Sequence, residues 1–233
     1  MSTPELVFAW DIDGTLISTG GVGRAALNGA FAQLYGVEQA FGGVSFAGRT
    51  DPGICEQAFV QAGVPATREN TEALFEAYLP LLEEGLSAQS DRMVVHPGVR
   101  EAVAATDKLG TNALLTGNWK GGADRKLAAA GLDGLFAWGA FGDDSAVRND
   151  LVPILVARAR KYGCEASQVV VIGDTEADVA CARAAGAVAV AVATGWRTRE
   201  ELQKTEPDLL LDDLSVGLEP LLELVRGLQT PRD

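Results

Sequence analysis

Two aspartates stand one residue apart directly after an apolar run near the start of the chain. The run from Leu6 to Trp10 has the length and composition of a buried strand, and Asp11 and Asp13 follow it at a loop that contains Gly14. Ligands of open α/β sheets bind at the carboxyl ends of the strands, so both carboxylates are expected to face one crevice. The alternative interpretation is a pair of strand-end aspartates that caps a turn.

A second pair of carboxylates follows a later strand-like run, Val169 to Gly173. Asp174 comes directly after this run, and Asp178 lies one helical turn beyond it. A cluster of Asp11, Asp13 and Asp174 would repel itself strongly without a cation. Hard oxygen ligands in an open crevice favour Mg²⁺, which keeps several water ligands and also coordinates a phosphate.

A third strand-like run, Ala113 to Thr116, ends in a hydroxyl group. Thr116, Gly117 and Asn118 stand where the backbone N–H groups of a following helix begin. Such a place suits the binding of phosphoryl oxygens. Three strand ends therefore predict one site for a phosphorylated ligand.

Strand-like and helix-like segments alternate over most of the chain, which predicts an α/β fold with a doubly wound parallel sheet and a Rossmann-like core. Residues 18–92 carry helical patterns and no convincing strand, which predicts a small inserted α-helical cap between two parts of the core, 1–17 and 93–233. Pro80 is expected to kink or restart the last cap helix. The expected strands are 6–10, 113–116, 136–141, 169–173 and 188–192.

The composition and the net charge of the chain argue against several classes of protein. The 233 residues are 47% hydrophobic and 22% charged, which argues against a disordered or fibrous chain. The net charge of −13 argues against nucleic-acid and anionic-membrane partners, whereas a small phosphorylated metabolite remains compatible with it. The N-terminus lacks a basic region before its first apolar run, so we expect a cytoplasmic protein. The sequence does not indicate an oligomeric state.

Together these motifs resemble those of the haloacid dehalogenase superfamily, in the phosphatase branch that has a helical cap after the first strand and includes the phosphoglycolate phosphatases. The resemblance implies that Asp11 is a nucleophile that forms an aspartyl-phosphate. It implies that Asp13 protonates the leaving group and then activates water. Thr116 would hold a phosphoryl oxygen, with Gly117 and Asn118 as further substrate-binding residues.

The same resemblance implies an Mg²⁺ cofactor. Asp174 would bind the metal together with Asp11 and the backbone carbonyl of Asp13, and Asp178 would complete or orient the metal site. The implied activity is the Mg²⁺-dependent hydrolysis of a small phosphomonoester.

Two arginines occupy places where the interpretation stays open. Arg148 stands where the family usually has a lysine, so it is either the second catalytic cation or a solvated residue at a helix start. Arg49, in the cap segment from Phe46 to Pro52, is a candidate substrate contact. The alternative is that Thr50 or Asp51 caps the next helix and that Arg49 pairs with a nearby acid.

Three other functions compete with the phosphatase. A phosphosugar mutase would use the same aspartyl-phosphate but shield it from water, and the motifs do not separate the two. A haloacid dehalogenase needs neither a metal nor a leaving-group acid, which disfavours it here. A non-catalytic binding module would have lost at least one strand-end carboxylate, and none is missing.

Overall fold

The computed structural model describes residues 6–166 and 168–229. Six of its strands form one parallel sheet in the order β5-β4-β1-β6-β7-β8, and β2 pairs with β3 in a separate antiparallel ribbon. The predicted doubly wound α/β fold is confirmed. The strands are β1 (Leu6–Trp10), β2 (Ile17–Ser18), β3 (Val94–Val95), β4 (Thr111–Leu115), β5 (Gly139–Ala140), β6 (Gln168–Gly173), β7 (Val188–Val192) and β8 (Leu209–Leu211).

Helices cover both faces of the sheet and form the inserted module. Short 3₁₀ turns lie at Ser90–Arg92, Arg148–Asp150 and Arg160–Tyr162. The α-helices are α1 (Val22–Tyr35), α2 (Asp51–Ala62), α3 (Arg68–Ala88), α4 (Val99–Thr106), α5 (Lys120–Ala129), α6 (Leu151–Ala159), α7 (Glu176–Ala184), α8 (Arg199–Gln203) and α9 (Leu218–Gln229). None of these described helices combines the length and the apolar composition that crossing a bilayer requires.

The central strand β1 is apolar at every position because it is buried on both sides. Leu6, Phe8 and Trp10 pack into the core beneath α4, α5 and α9, whereas Val7 and Ala9 pack into the core beneath α6 and α7. Successive side chains of a strand point to opposite faces, so a strand between two helical layers must be a continuous apolar run.

The structure differs from the expected elements at the short strands and at Pro80. The expected strand 136–141 is reduced to β5, two residues long. Strands β2, β3 and β8 were not predicted because each is only two or three residues long. Helix α3 continues unbroken through Pro80, contrary to a restart at that residue. Pro80 and Glu76 both lie on its exposed face, so the carbonyl that loses its donor faces water.

Helices α1 to α3 bury a hydrophobic cluster that is separate from the two cores of the sheet. The ring of Phe31 lies at its centre, 5.3 Å from the ring of Phe59 and 5.8 Å from that of Phe41. The chain enters and leaves this module through β2 and β3, in which Ile17 pairs with Val95. The module therefore has its own packing and joins the sheet through one ribbon.

Candidate active site

Three carboxylates meet where β1 and β6 end. Asp11 extends β1 by one residue, since its backbone N–H donates to the carbonyl of Ile172 at 2.9 Å. Asp11, Asp174 and Asp178 each place one oxygen within 4.8 Å of the other two, and all three side chains are buried. The strand-end cluster expected from the sequence is thus present for these three residues, whereas the side chain of Asp13 lies outside it.

The cluster is electrostatically unfavourable by itself. Burial, together with the neighbouring charges of Asp178 and Asp11, raises the pKa of Asp174 to about 8. Burial likewise raises the pKa of Asp11 to about 7, although Arg148 opposes this shift. Carboxylates that resist ionisation in this way form a favourable place for a divalent cation.

Two glycines let the backbone close around Asp174. A Cβ at Gly195 would fall 1.7 Å from Oδ2 of Asp174, and a Cβ at Gly14, whose φ is 89°, would fall 2.3 Å from the same oxygen. The next residue along, Trp196, donates its backbone N–H to that oxygen at 3.1 Å. Glycine at these two positions therefore lets the loops after β1 and β7 hold this carboxylate.

Asp178 is fixed from two sides. Its Oδ2 accepts hydrogen bonds from the backbone and the hydroxyl of Thr175, which begins α7 with a capping box. Its Oδ1 accepts from Arg148, whose Nη2 also lies 3.2 Å from Oδ1 of Asp11. Both oxygens of Asp178 are therefore engaged, and this side chain orients Arg148 against Asp11.

Arg148 is buried beside the cluster rather than solvated. Burial alone would lower the pKa of its guanidinium, but the charges of Asp178 and Asp11 outweigh burial and hold the pKa above its ordinary value. Nε of Arg148 is buried without a hydrogen-bond partner among the described residues. A buried donor without a partner is uncommon in proteins.

Asp13 belongs to a second network at the end of β4. Its Oδ2 accepts from Nδ2 of Asn118 and from Nζ of Lys126, each at 2.7 Å. Asn118 also donates to the hydroxyl of Thr116 at 2.7 Å and accepts from Lys126 at 2.6 Å. Thr116, Asn118 and Asp13 were expected at one site, and the structure brings them together.

Lys126 is a site residue that the motifs do not identify. It lies on α5 and is only 5% exposed, on the same helix face as Gly122, Ala123 and Leu127. A lysine on a buried helix face needs a partner for its charge. The helical spacing of Lys126 from Ala123 and Leu127 was the sequence signal that could have indicated an inward-facing cation.

The loop before α2 packs against the end of β4. Thr50 caps α2 by accepting from the backbone of Gly53 at 3.2 Å. Asp51 donates its backbone N–H to the carbonyl of Gly117 at 2.7 Å and accepts from the backbone of Trp119 at 2.9 Å. Burial raises the pKa of Asp51 to about 6, a shift that Lys126 opposes. The helix-capping account of this segment thus agrees with the structure.

Arg49 lines the cavity from this loop, but its guanidinium donates to the side chain of Gln57 and has no carboxylate within 4.0 Å among the described residues. The expected acid partner is therefore absent from the described part of the chain. A Cβ at Gly117 would fall 2.1 Å from the carbonyl oxygen of Arg49. Glycine at this position is required by the close approach of the loop.

The two networks face a single cavity of about 300 Å³ between the sheet and the helical module. Such a volume is at the lower end of the range for small-molecule sites. The core lines it with Asp11, Asp13, Thr116, Asn118, Lys126 and Arg148, and the module lines it with Arg24, Leu27, Phe46, Arg49, Ile54 and Tyr78. On the side of the core, the arrangement places the carboxylates of Asp11 and Asp13 and the cations Lys126 and Arg148 around one small space.

Comparisons with known proteins agree on the type of protein. A model of the HAD-hydrolase-like family matches residues 150–216. The chain is 30% identical to a phosphoglycolate phosphatase of Mesorhizobium japonicum, over 94% of this chain and 96% of that one. It is 28% identical to a phosphoglycolate phosphatase of Pseudomonas syringae pv. tomato, over 91% of this chain and 77% of that one. The solved structure of a predicted phosphoglycolate phosphatase from Haemophilus somnus superimposes with a TM-score of 0.69 at 20% identity, covering 95% of this chain and 99% of that one.

Proposed function

The chain belongs to the haloacid-dehalogenase-like hydrolases and is a phosphoric monoester hydrolase, and from that premise we propose that it hydrolyses a small phosphomonoester similar to phosphoglycolate through an aspartyl-phosphate on Asp11. The observation that carries this proposal is the position of Asp11 in the cavity, where its Oδ1 lies 3.2 Å from Nη2 of Arg148 and where Asp13 is also part of the lining. We further propose that residues 18–92 act as the cap that selects the substrate and that the enzyme is cytoplasmic.

The carboxylate cluster fits an Mg²⁺ ion. We assign Asp11 and Asp174 as its direct side-chain ligands, with the backbone carbonyl of Asp13 as a third. Asp178 orients the site instead, because its Oδ1 is paired with Arg148 and its Oδ2 accepts two hydrogen bonds from Thr175. When bound, Mg²⁺ supplies positive charge that polarises the phosphoryl group and offsets the repulsion among the carboxylates.

The reaction then uses two carboxylates in turn. One oxygen of Asp11 bonds to phosphorus as the bond between phosphorus and the leaving-group oxygen breaks. Asp13 gives the leaving-group oxygen a proton. Asn118 and Lys126 hold Oδ2 of Asp13, which leaves Oδ1 as the oxygen that carries the proton. Asp13 next takes a proton from water, the water oxygen bonds to phosphorus, and Asp11 is released with inorganic phosphate.

Arg148 and Lys126 divide the positive charge of the site. Arg148 lies against Asp11, so it is placed to stabilise the transferring phosphoryl oxygens, as the family's usual lysine would. Lys126 lies against Asp13 and Asn118 and thus positions the acid and the phosphoryl-binding end of β4. In this proposal Arg148 takes the place of the family's usual lysine, and Lys126 on α5 supports it.

We expect Arg148→Ala to lower kcat/KM about a hundredfold, because loss of one preorganised donor to the transition state costs about 3 kcal/mol. Arg148→Lys should recover part of the rate, because lysine restores the positive charge but not the planar guanidinium with its paired N–H donors. Arg148→Ala should lower kcat/KM more than Lys126→Gln does, because Lys126 contacts Asp13 and not Asp11. Steady-state kinetics on one ester with all three variants measures these differences.

Arg158→Ala is the matched control for this experiment. Arg158 also forms a partly buried ion pair, with Asp144 at 2.6 Å, but it does not line the cavity. Its removal should lower the melting temperature and leave kcat/KM within about twofold of the parent. If Arg148→Ala behaves in the same way, Arg148 is structural and the assignment is wrong.

A phosphate-release assay over a panel of phosphomonoesters tests the function itself. We expect free phosphate from several small esters, and phosphoglycolate to be turned over at least about tenfold faster than hexose phosphates, because the cavity is small. An Asp11→Asn preparation serves as the blank. Conversion of a sugar phosphate to its isomer without free phosphate would instead identify a phosphosugar mutase.

A further inference from the structure

A guanidinium of the cap lies in the cavity with no function so far. Arg24 belongs to the first turn of α1 and lines the same cavity as Asp11. Its neighbour Gly23 lies close to Lys126, since a Cβ there would be 3.7 Å from Nζ of this lysine, which in turn holds Asp13. The first turn of α1 is therefore next to the acid that serves the leaving group.

The Arg24 side chain is held in a defined position. Its Nη1 donates to the carbonyl of Phe41 at 2.7 Å, and its guanidinium carbon lies 4.0 Å from the centre of the Phe46 ring. The Phe41 backbone is itself fixed, because its N–H donates to Oδ1 of Asn28 at 3.1 Å. One donor and one face of the guanidinium are thus used for positioning, which lowers the cost of ordering it when a ligand binds.

Positive charge at this position is not neutralised by the protein. Most of the described arginines lie within 4.0 Å of a carboxylate, whereas Arg24 has no such partner among the described residues. The first turn of α1 contributes no acidic residue, in a chain whose net charge is −13. The Phe46 ring covers one face of the Arg24 guanidinium, and Leu27 and Ile54 are among the other residues that line the cavity. A fixed, unneutralised guanidinium in such surroundings is complementary to an anion.

We propose that Arg24 determines substrate specificity by pairing with an anionic group on the leaving portion of the phosphomonoester. This inference rests on the proposed function and extends it, because it names the chemical class of the leaving group and the residue that selects it. A carboxylate and a second phosphate share the chemistry that Arg24 would recognise. The small cavity favours a short acid, in which the carboxylate is one or two carbons from the ester oxygen.

Three esters that share a two-carbon leaving portion separate these possibilities. Phosphoglycolate carries a carboxylate, ethanediol bisphosphate carries a second phosphate, and 2-hydroxyethyl phosphate carries a neutral hydroxyl at that end. The parent is expected to prefer one of the two anionic esters to the neutral one, and the preferred ester identifies the anion. Arg24→Gln should lower kcat/KM for that ester about 30-fold, mainly through KM, and change the neutral ester less than about threefold. Arg24→Lys should recover part of the preference.

Arg100→Gln is the control variant. Arg100 also donates to backbone carbonyls, those of Ala130 and Gly131, and has no carboxylate within 4.0 Å among the described residues, but it lies outside the cavity. It should leave all three esters unchanged. Melting temperature and inhibition by inorganic phosphate, measured on Arg24→Gln, report whether the fold and the phosphoryl site are intact.

Each remaining result is decisive. Equal losses on charged and neutral esters, or no loss on any, overturn the role of Arg24 while leaving the phosphatase in place. A parent that prefers the neutral ester does the same. A parent that releases phosphate from none of the three esters overturns the proposed function, and the inference with it.

Discussion

Asp11→Asn should abolish turnover of every phosphomonoester, with kcat lowered at least about ten-thousandfold, as expected for the loss of a covalent nucleophile. The amide keeps the shape of the side chain but cannot form the bond to phosphorus. Burial disfavours the charged form of this carboxyl, so the neutral variant is expected to fold. Phosphate release from an activated aryl ester and from phosphoglycolate measures the effect.

Asp133→Asn provides the control for that variant, because Asp133 is exposed and lies outside the cavity. It should have the kinetics of the parent. An Asp11→Asn enzyme within about tenfold of the parent, or roughly 1.4 kcal/mol of barrier, would exclude the aspartyl-phosphate mechanism. Labelling of the parent with a radioactive phosphoryl group, absent from the variant, gives independent evidence for the intermediate.

Removal of divalent cations should lower kcat at least about a thousandfold, and added Mg²⁺ should restore it. A second readout does not depend on activity. Three buried carboxylates face one another in the folded protein, so Mg²⁺ should raise its stability, by about 3 kcal/mol at a concentration a hundredfold above Kd. A thermal-shift titration with Mg²⁺ measures this stabilisation.

Asp174→Asn should remove most of the Mg²⁺ stabilisation, since Asp174 is a buried member of the cluster. Asp133→Asn should retain it. Full activity in the presence of a chelator, or equal Mg²⁺ stabilisation of the Asp174 variant and the parent, would contradict the metal assignment.

The strand ends were predictable because of a simple geometric rule. Parallel strands place their carboxyl ends at one edge, so residues far apart in sequence, such as Asp11, Thr116 and Asp174, had to converge once the strands were identified. Long buried strands are also the clearest signal in a sequence. The edge strand β8 is only three residues long, which is too short to leave such a signal.

Cations of the cavity were harder to predict than carboxylates. Arg148 could be placed because it stands at a known point of the family's motif order. Lys126 and Arg24 lie on helices, where a charged residue ordinarily faces water, and their inward orientation depends on how α5 and α1 pack. Tertiary packing of the module against the sheet is what brings Arg24 to the cavity, and no local pattern encodes it.

The β2–β3 ribbon bears on how such enzymes diversify. Ile17 pairs with Val95 and Ser18 with Val94, so the chain leaves the sheet and returns to it at adjacent points. A segment whose two ends lie side by side can be lengthened, shortened or exchanged at little cost in loop closure. The α/β core can therefore stay unchanged while the smaller inserted module is replaced, which lets one ancestral chemistry be redirected to new metabolites.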